Sequence, residues 1–169
     1  MKDIKNDKVA KRKGVTAVEV IAVILVVFLL AVGLAFSYVK FLNDSFENSV
    51  AANARKVLSA IQIVNVNVEE LNASIELEES LENICPGLFG IGVEPTVSAG
   101  TVYLKVFGED EASAVNVSVL EENSWGISDI KESGATFSFI YYHYVNGALY
   151  SLDLTDGIWG EVEVLVNNK

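Results

Sequence analysis

This chain of 169 residues has one cysteine, one histidine and two prolines. A lone Cys85 excludes an intrachain disulfide and leaves only pairing between chains in an oxidising exterior. A lone His143 argues against a zinc site or a histidine-based triad, which need further ligating or catalytic partners. Basic residues are also few, 12 against 23 acidic, and half of them precede residue 14. The remainder of the chain therefore lacks the basic patch expected of a nucleic-acid surface. No glycine-rich phosphate-binding loop is present, so the chain is not expected to drive work by nucleotide hydrolysis.

The most prominent positive feature is a long apolar run. From Val15 to Val39 the sequence carries one charged residue, Glu19. About 25 residues at 1.5 Å each are enough to cross a hydrocarbon core of ~30 Å. Lys2, Lys5, Lys8, Lys11, Arg12 and Lys13 stand before this run, against Asp3 and Asp7. The positive-inside rule then places the N-terminus in the cytoplasm and the acidic remainder outside.

Lys11-Arg12-Lys13-Gly14, followed by Val15-Thr16-Ala17-Val18-Glu19 and the apolar run, resembles the class III signal of type IV prepilins. The resemblance covers Lys11 to about Val39. It implies cleavage after Gly14 by a prepilin peptidase, with Val15 as a usually methylated first residue and Glu19 as the fifth. Removing residues 1 to 14 takes away six basic and two acidic residues, which moves the formal net charge from −11 to about −15. The resemblance further implies that Glu19 neutralises the α-amine of the next copy as helices pack into a filament. An assembly ATPase and a platform protein would act on the subunit indirectly. Many bacterial pilins have Phe-Thr-Leu-Ile-Glu after the cut; Thr16 and Glu19 match that pattern and the Phe is replaced by Val15. An acidic residue at a helix N-terminus also suits the helix macrodipole, so an ordinary anchor accounts for Glu19 taken alone.

No proline interrupts Val15 to Asn65, and Phe46, Val50, Ala54, Val57, Ile61 and Val64 recur at spacings of three and four. The spacing predicts one helix of about 50 residues, with an amphipathic second half packed on the head. Gly33 offers a bend or a close helix approach. Asn67 and Glu70 resemble a capping box opening a second helix to about Asn83, with Leu71, Ile75 and Leu81 near its buried side. Its many glutamates read as a solvated face. Cys85 to Gly100, which holds both prolines, reads as a loop.

Strand periodicity follows at Thr101–Phe107 and Ala112–Leu120. Glu121–Gly134 reads as an irregular connection with Trp125 and Ile127 tucked onto the sheet. Asn146-Gly147 and Asp156-Gly157 are preferred two-residue turns between strands at Thr136–Val145, Ala148–Leu154 and Ile158–Val166. Val162, Val164 and Val166 are expected on one face. The fold class expected is α+β: a long N-terminal helix, transmembrane in its first half, packed on a C-terminal antiparallel meander of four or five strands, as the pilin resemblance also implies. The segments are a leader at 1–14, a membrane or filament-core helix at 15–39, its amphipathic continuation at 40–65 and an extracytoplasmic head at 66–169.

Residues elsewhere give little sign of chemistry. His143 and the aromatic run around it read as sheet packing. Asp153, Asp156 and Gly157 do not have EF-hand spacing and read as a turn rather than a calcium loop. Asn43, Asn72 and Asn116 head Asn-X-Ser sequons and are candidate glycosylation sites. No catalytic residue, metal ligand or cofactor is expected. The function expected is a structural subunit of a type IV pilus-like surface filament. Its rivals are a pseudopilin of a type II secretion system, a minor pilin for DNA uptake, and a membrane-anchored binding domain that never polymerises.

Overall fold

The computed structural model describes residues 16–64, 75–107 and 112–167. The chain divides into two compact units, the first ending at Asn43 and the second starting at Asp44. Helix α1 spans Ala17–Val64, as the absence of proline allows. In the first unit its apolar residues are exposed on every side, including Ile24, Leu25, Phe28, Leu29 and Leu34. The Ser37 hydroxyl there donates to the Gly33 carbonyl at 3.0 Å, a common way for serine to be accommodated inside a helix.

In the second unit α1 is amphipathic. Val50, Ala54, Val57 and Ile61 are buried with Ala60, and Phe46 and Val64 pack at the ends of the stripe. All six residues of the expected stripe therefore face the core. Helix α2 spans Ile75–Ile84 and contributes Leu77 and Leu81 to the same core. The expected break at Asn65, the Asn67–Glu70 box and Leu71 lie outside the described residues. Glu82, at the end of α2, accepts the backbone N–H groups of Gly87 and Leu88 at 3.0 and 2.7 Å. One acidic side chain thus fixes the turn that leads from helix to sheet.

Among the described residues the sheet has seven strands: β1 (Leu88–Ser98), β2 (Thr101–Phe107), β3 (Ala112–Asn116), β4 (Trp125–Ser133), β5 (Thr136–Val145), β6 (Ala148–Thr155) and β7 (Ile158–Asn167). Their spatial order is β3-β2-β1-β4-β5-β6-β7. Two antiparallel meanders, β1–β3 and β4–β7, are joined by parallel pairing of β1 with β4 over Leu88–Ile91. The architecture is α+β with a long N-terminal helix, as expected, and the sheet is larger than four or five strands.

Two segments read from sequence as irregular are strands. Most of the expected loop at Cys85–Gly100 is β1, in spite of Pro95. β4 accompanies β1 only as far as Ile91, so at Pro95 one side of β1 is an edge, where proline is tolerated. The expected connection at Glu121–Gly134 contains β4, with Trp125 and Ile127 pointing into the core. The expected second strand stops at Asn116 and passes into a short 3₁₀ turn at Val117–Val119.

Among the described residues four two-residue turns reverse the chain. Asn146-Gly147, Asp156-Gly157 and Ala99-Gly100 have positive φ at both positions, and Gly134-Ala135 has it at Gly134. These conformations match the twist of paired strands.

Both faces of the sheet carry buried residues in its central strands. Phe139, Tyr141, Leu152, Leu154 and Ile127 meet the helical stripe. On the other face Tyr142, Tyr144 and Leu149 form a second core with Val93, Val102, Leu104 and Val117. Close approach at Gly90 and Gly126 permits this. A Cβ at Gly126 would lie 2.4 Å from the Phe89 ring and 3.0 Å from the Gly90 carbonyl oxygen. The expected single face for Val162, Val164 and Val166 is corrected by a register shift between Leu149 and Tyr150. Val162 packs on the helix-side core, Val166 on the second core, and Val164 is exposed. A bulge of this kind moves later side chains to the opposite face.

Candidate functional site

The first described residue, Thr16, is also the N-cap of α1. Its backbone N–H donates to Glu19 Oε2 at 2.8 Å, and its hydroxyl donates to the same oxygen at 3.0 Å. In return, the Glu19 N–H donates to Thr16 Oγ1 at 3.3 Å. This is a reciprocal capping box, which satisfies N–H groups that have no acceptor inside the helix. Glu19 therefore has a local structural role. Both bonds use Oε2, and Oε1 accepts no bond from the described residues. Among the described residues the carboxylate is oriented through one oxygen, and the other has no donor. The signature Thr16-x-x-Glu19 is present in the sequence; reading Glu19 only as a charge passes over it.

Past Glu19 the next charged residue is Lys40. The helix is long and apolar enough to cross a membrane, and its most apolar window has no buried residue. Gly14 and Val15, the expected processing site, lie outside the described residues.

The head brings together groups that the sequence leaves scattered. His143 lies buried beside Tyr141, whose hydroxyl and the ring Nδ1 are 2.7 Å apart. His143 Nε2 has no hydrogen-bond partner among the described residues. Burial holds the imidazole down to about 4, so it is neutral at physiological pH, and pushes the Tyr141 phenol up. Trp125 donates its indole N–H to the Cys85 and Pro86 carbonyls at 3.1 and 3.2 Å. Cys85 borders a cavity of about 260 Å³ with Asn53, Lys56 and Trp125. Burial raises its thiol pKa, the opposite of what a reactive cysteine needs.

Asp153 and Asp156 border an open depression with Asp129 and Lys131. Asp156 sits at φ 51° in its turn, and its N–H donates to Ser138 Oγ at 2.9 Å. No group of three or more His, Cys, Asp or Glu side chains is placed to hold a metal among the described residues.

The sequons differ in setting. Asn43 is inside α1, Asn72 lies outside the described residues, and Asn116 closes strand β3 as the N-cap of the 3₁₀ turn. Comparison with protein-family models, curated proteins and solved structures gave no match.

Proposed function

We propose that the chain is a type IV prepilin-like subunit, cut after Gly14 and assembled through its N-terminal helix into a surface filament. The observation that carries this reading is the first half of α1. It is apolar on all sides, and its single carboxylate, Glu19, sits in the first turn. A helix that is apolar all round needs lipid or other helices around it. Lipid would serve the inserted subunit, and packed copies of the same helix would serve the filament. Glu19 Oε1 would then accept the α-amine of Val15 from the next copy. In a water-poor helix bundle, removing one partner of such a pair costs about 3–5 kcal/mol. The acidic head outside the membrane would supply a hydrated surface for adhesion or contact. A pseudopilin or minor pilin would use the same helix in a shorter assembly.

One observation favours a second reading, an anchored head that does not polymerise. The capping box already gives Glu19 a function without any neighbour. Glu19→Gln separates the two, because glutamine also serves at this position of a capping box and carries no charge. The test is the mature N-terminus, by mass spectrometry on sheared surface material and on membranes, for wild type and this variant. The filament reading expects wild type to begin at Val15 in the sheared fraction, and Glu19→Gln to remain in the membrane without filaments. A chain beginning at Met1 in both fractions would overturn it. A Glu19→Gln protein that forms filaments in wild-type yield would remove the charge pair from the mechanism.

A further inference from the structure

We propose that Asn116 is an N-glycosylation acceptor of this chain, selected over Asn43 by local geometry. A sequon supplies a carboxamide and a hydroxyl two residues apart, and the two can cooperate only where the backbone brings them together. In an α-helix, residues two apart point to different sides. Asn43 and Ser45 both lie inside α1, so that sequon is held in the form that separates its two groups.

At Asn116 the arrangement is the reverse. The residue is extended, at φ −67° and ψ 128°. Its Oδ1 accepts the Ser118 backbone N–H and the Ser118 hydroxyl, each at 2.9 Å. Two donors on one carbonyl oxygen draw density from the carboxamide and make its N–H groups more acidic. Among the described residues Nδ2 donates to none, and one of its two protons is the one lost in the transfer. The intervening Val117 is buried in the second core and anchors the turn, whereas Ser118 is exposed. Strand β3 is the outer strand of the sheet, so among the described residues no further strand flanks the site.

The co-reactant is a glycan linked through phosphate or pyrophosphate to a membrane polyprenol. Asn116 Nδ2 forms a bond to the anomeric carbon, the bond from that carbon to the phosphate oxygen breaks, and the polyprenyl phosphate leaves with the electron pair. One Nδ2 proton passes to a base of the transferase, and nothing is oxidised or reduced. The inference rests on the filament reading only in placing the head outside the cytoplasm.

The experiment is peptide mass spectrometry on the full chain isolated from the organism that makes it, reading the mature N-terminus in the same sample. Expected is a glycan-sized mass increase on the Asn116 peptide. That increase should disappear in Asn116→Gln and Ser118→Ala and persist in Ser118→Thr, which keeps the hydroxyl. An unmodified Asn116 peptide in wild type overturns the inference, and glycan at Asn43 with none at Asn116 overturns the geometric argument. A glycosylated Asn116 on a chain that still begins at Met1 supports the inference and counts against the filament reading, so the two fail separately.

Discussion

Helix α1 has two halves that differ in apolar content and have opposite surroundings. Up to Asn43 its apolar side chains are exposed all round; from Asp44 onward most of them form a stripe buried against the sheet, and Ile63 stays outside it. The stripe names its partner, because a band of one width and period fits one face of one neighbour. The ring of apolar residues names only a medium, lipid or many helices. The second half is therefore held by specific packing. The first is held by backbone hydrogen bonds and the cap at Thr16, until a medium surrounds it.

The largest expected effect contrasts one truncation in both halves. Ile61 is 1% exposed and Ile24 is 60% exposed. Ile61→Ala should destabilise the head by about 2–5 kcal/mol through lost burial and the cavity left behind. Ile24→Ala should change head stability by less than about 0.5 kcal/mol. Urea unfolding of the full chain in detergent, followed by tryptophan fluorescence, reads both. Equal losses would break the contrast between the halves.

A smaller effect probes the head through pH. The folded His143 imidazole titrates at about 4, below its ordinary 6.5. Between those values the unfolded chain binds the proton more readily, so stability is complete above pH 6.5 and declines as pH falls towards 4. The loss from this group is at most about 3–4 kcal/mol, from 1.36 kcal/mol per pH unit over about 2.5 units. His143→Gln keeps an acceptor for the Tyr141 hydroxyl and cannot titrate. Its stability should fall less between pH 7 and pH 4.5 than that of wild type; parallel profiles would remove His143 from the acid response.

Glycine sharpens the comparison further. In the head, Gly126→Ala forces a Cβ against the Phe89 ring and the Gly90 carbonyl, and should cost about 1–3 kcal/mol. A variant with wild-type stability would mean that β1 and β4 can separate freely at this point.

How much was legible in the sequence follows the same physical division. The stripe from Phe46 to Val64 was readable because a 3.6-residue period is imposed by one packed face. Asn146-Gly147 and Asp156-Gly157 were readable because their residues accept positive φ cheaply. β1 was hidden because Pro95, Gly90 and Gly92 are breakers in most contexts, and only its partial pairing with β4 makes them acceptable. β4 was hidden because Ser128, Asp129, Lys131 and Glu132 interrupt its apolar pattern. The displaced Val166 depends on a bulge, a product of pairing that its own strand does not announce. At the candidate site, Glu19 was conspicuous as a charge in an apolar run, and its bond to Thr16 was equally present in the spacing. What the sequon at Asn116 adds, a hydroxyl folded back onto its carboxamide, needed the backbone to be seen.

The smallest expected change in the subunit falls in the exposed half. A Cβ at Gly33 would meet nothing within 4 Å, so Gly33→Ala has no clash to relieve. Alanine should favour the helix by up to about 1 kcal/mol, which is the usual propensity difference. Circular dichroism in detergent should show equal or greater helicity and unchanged head stability. Assembly makes this small change informative. Small residues let helices approach closely in an apolar medium, and an added methyl group holds them apart. If Gly33 lies at a contact between copies, the variant should be as helical as wild type and yield fewer filaments. If filament yield is unchanged, Gly33 faces away from every neighbour, and close packing must run through Ala22, Ala31 or Ala35.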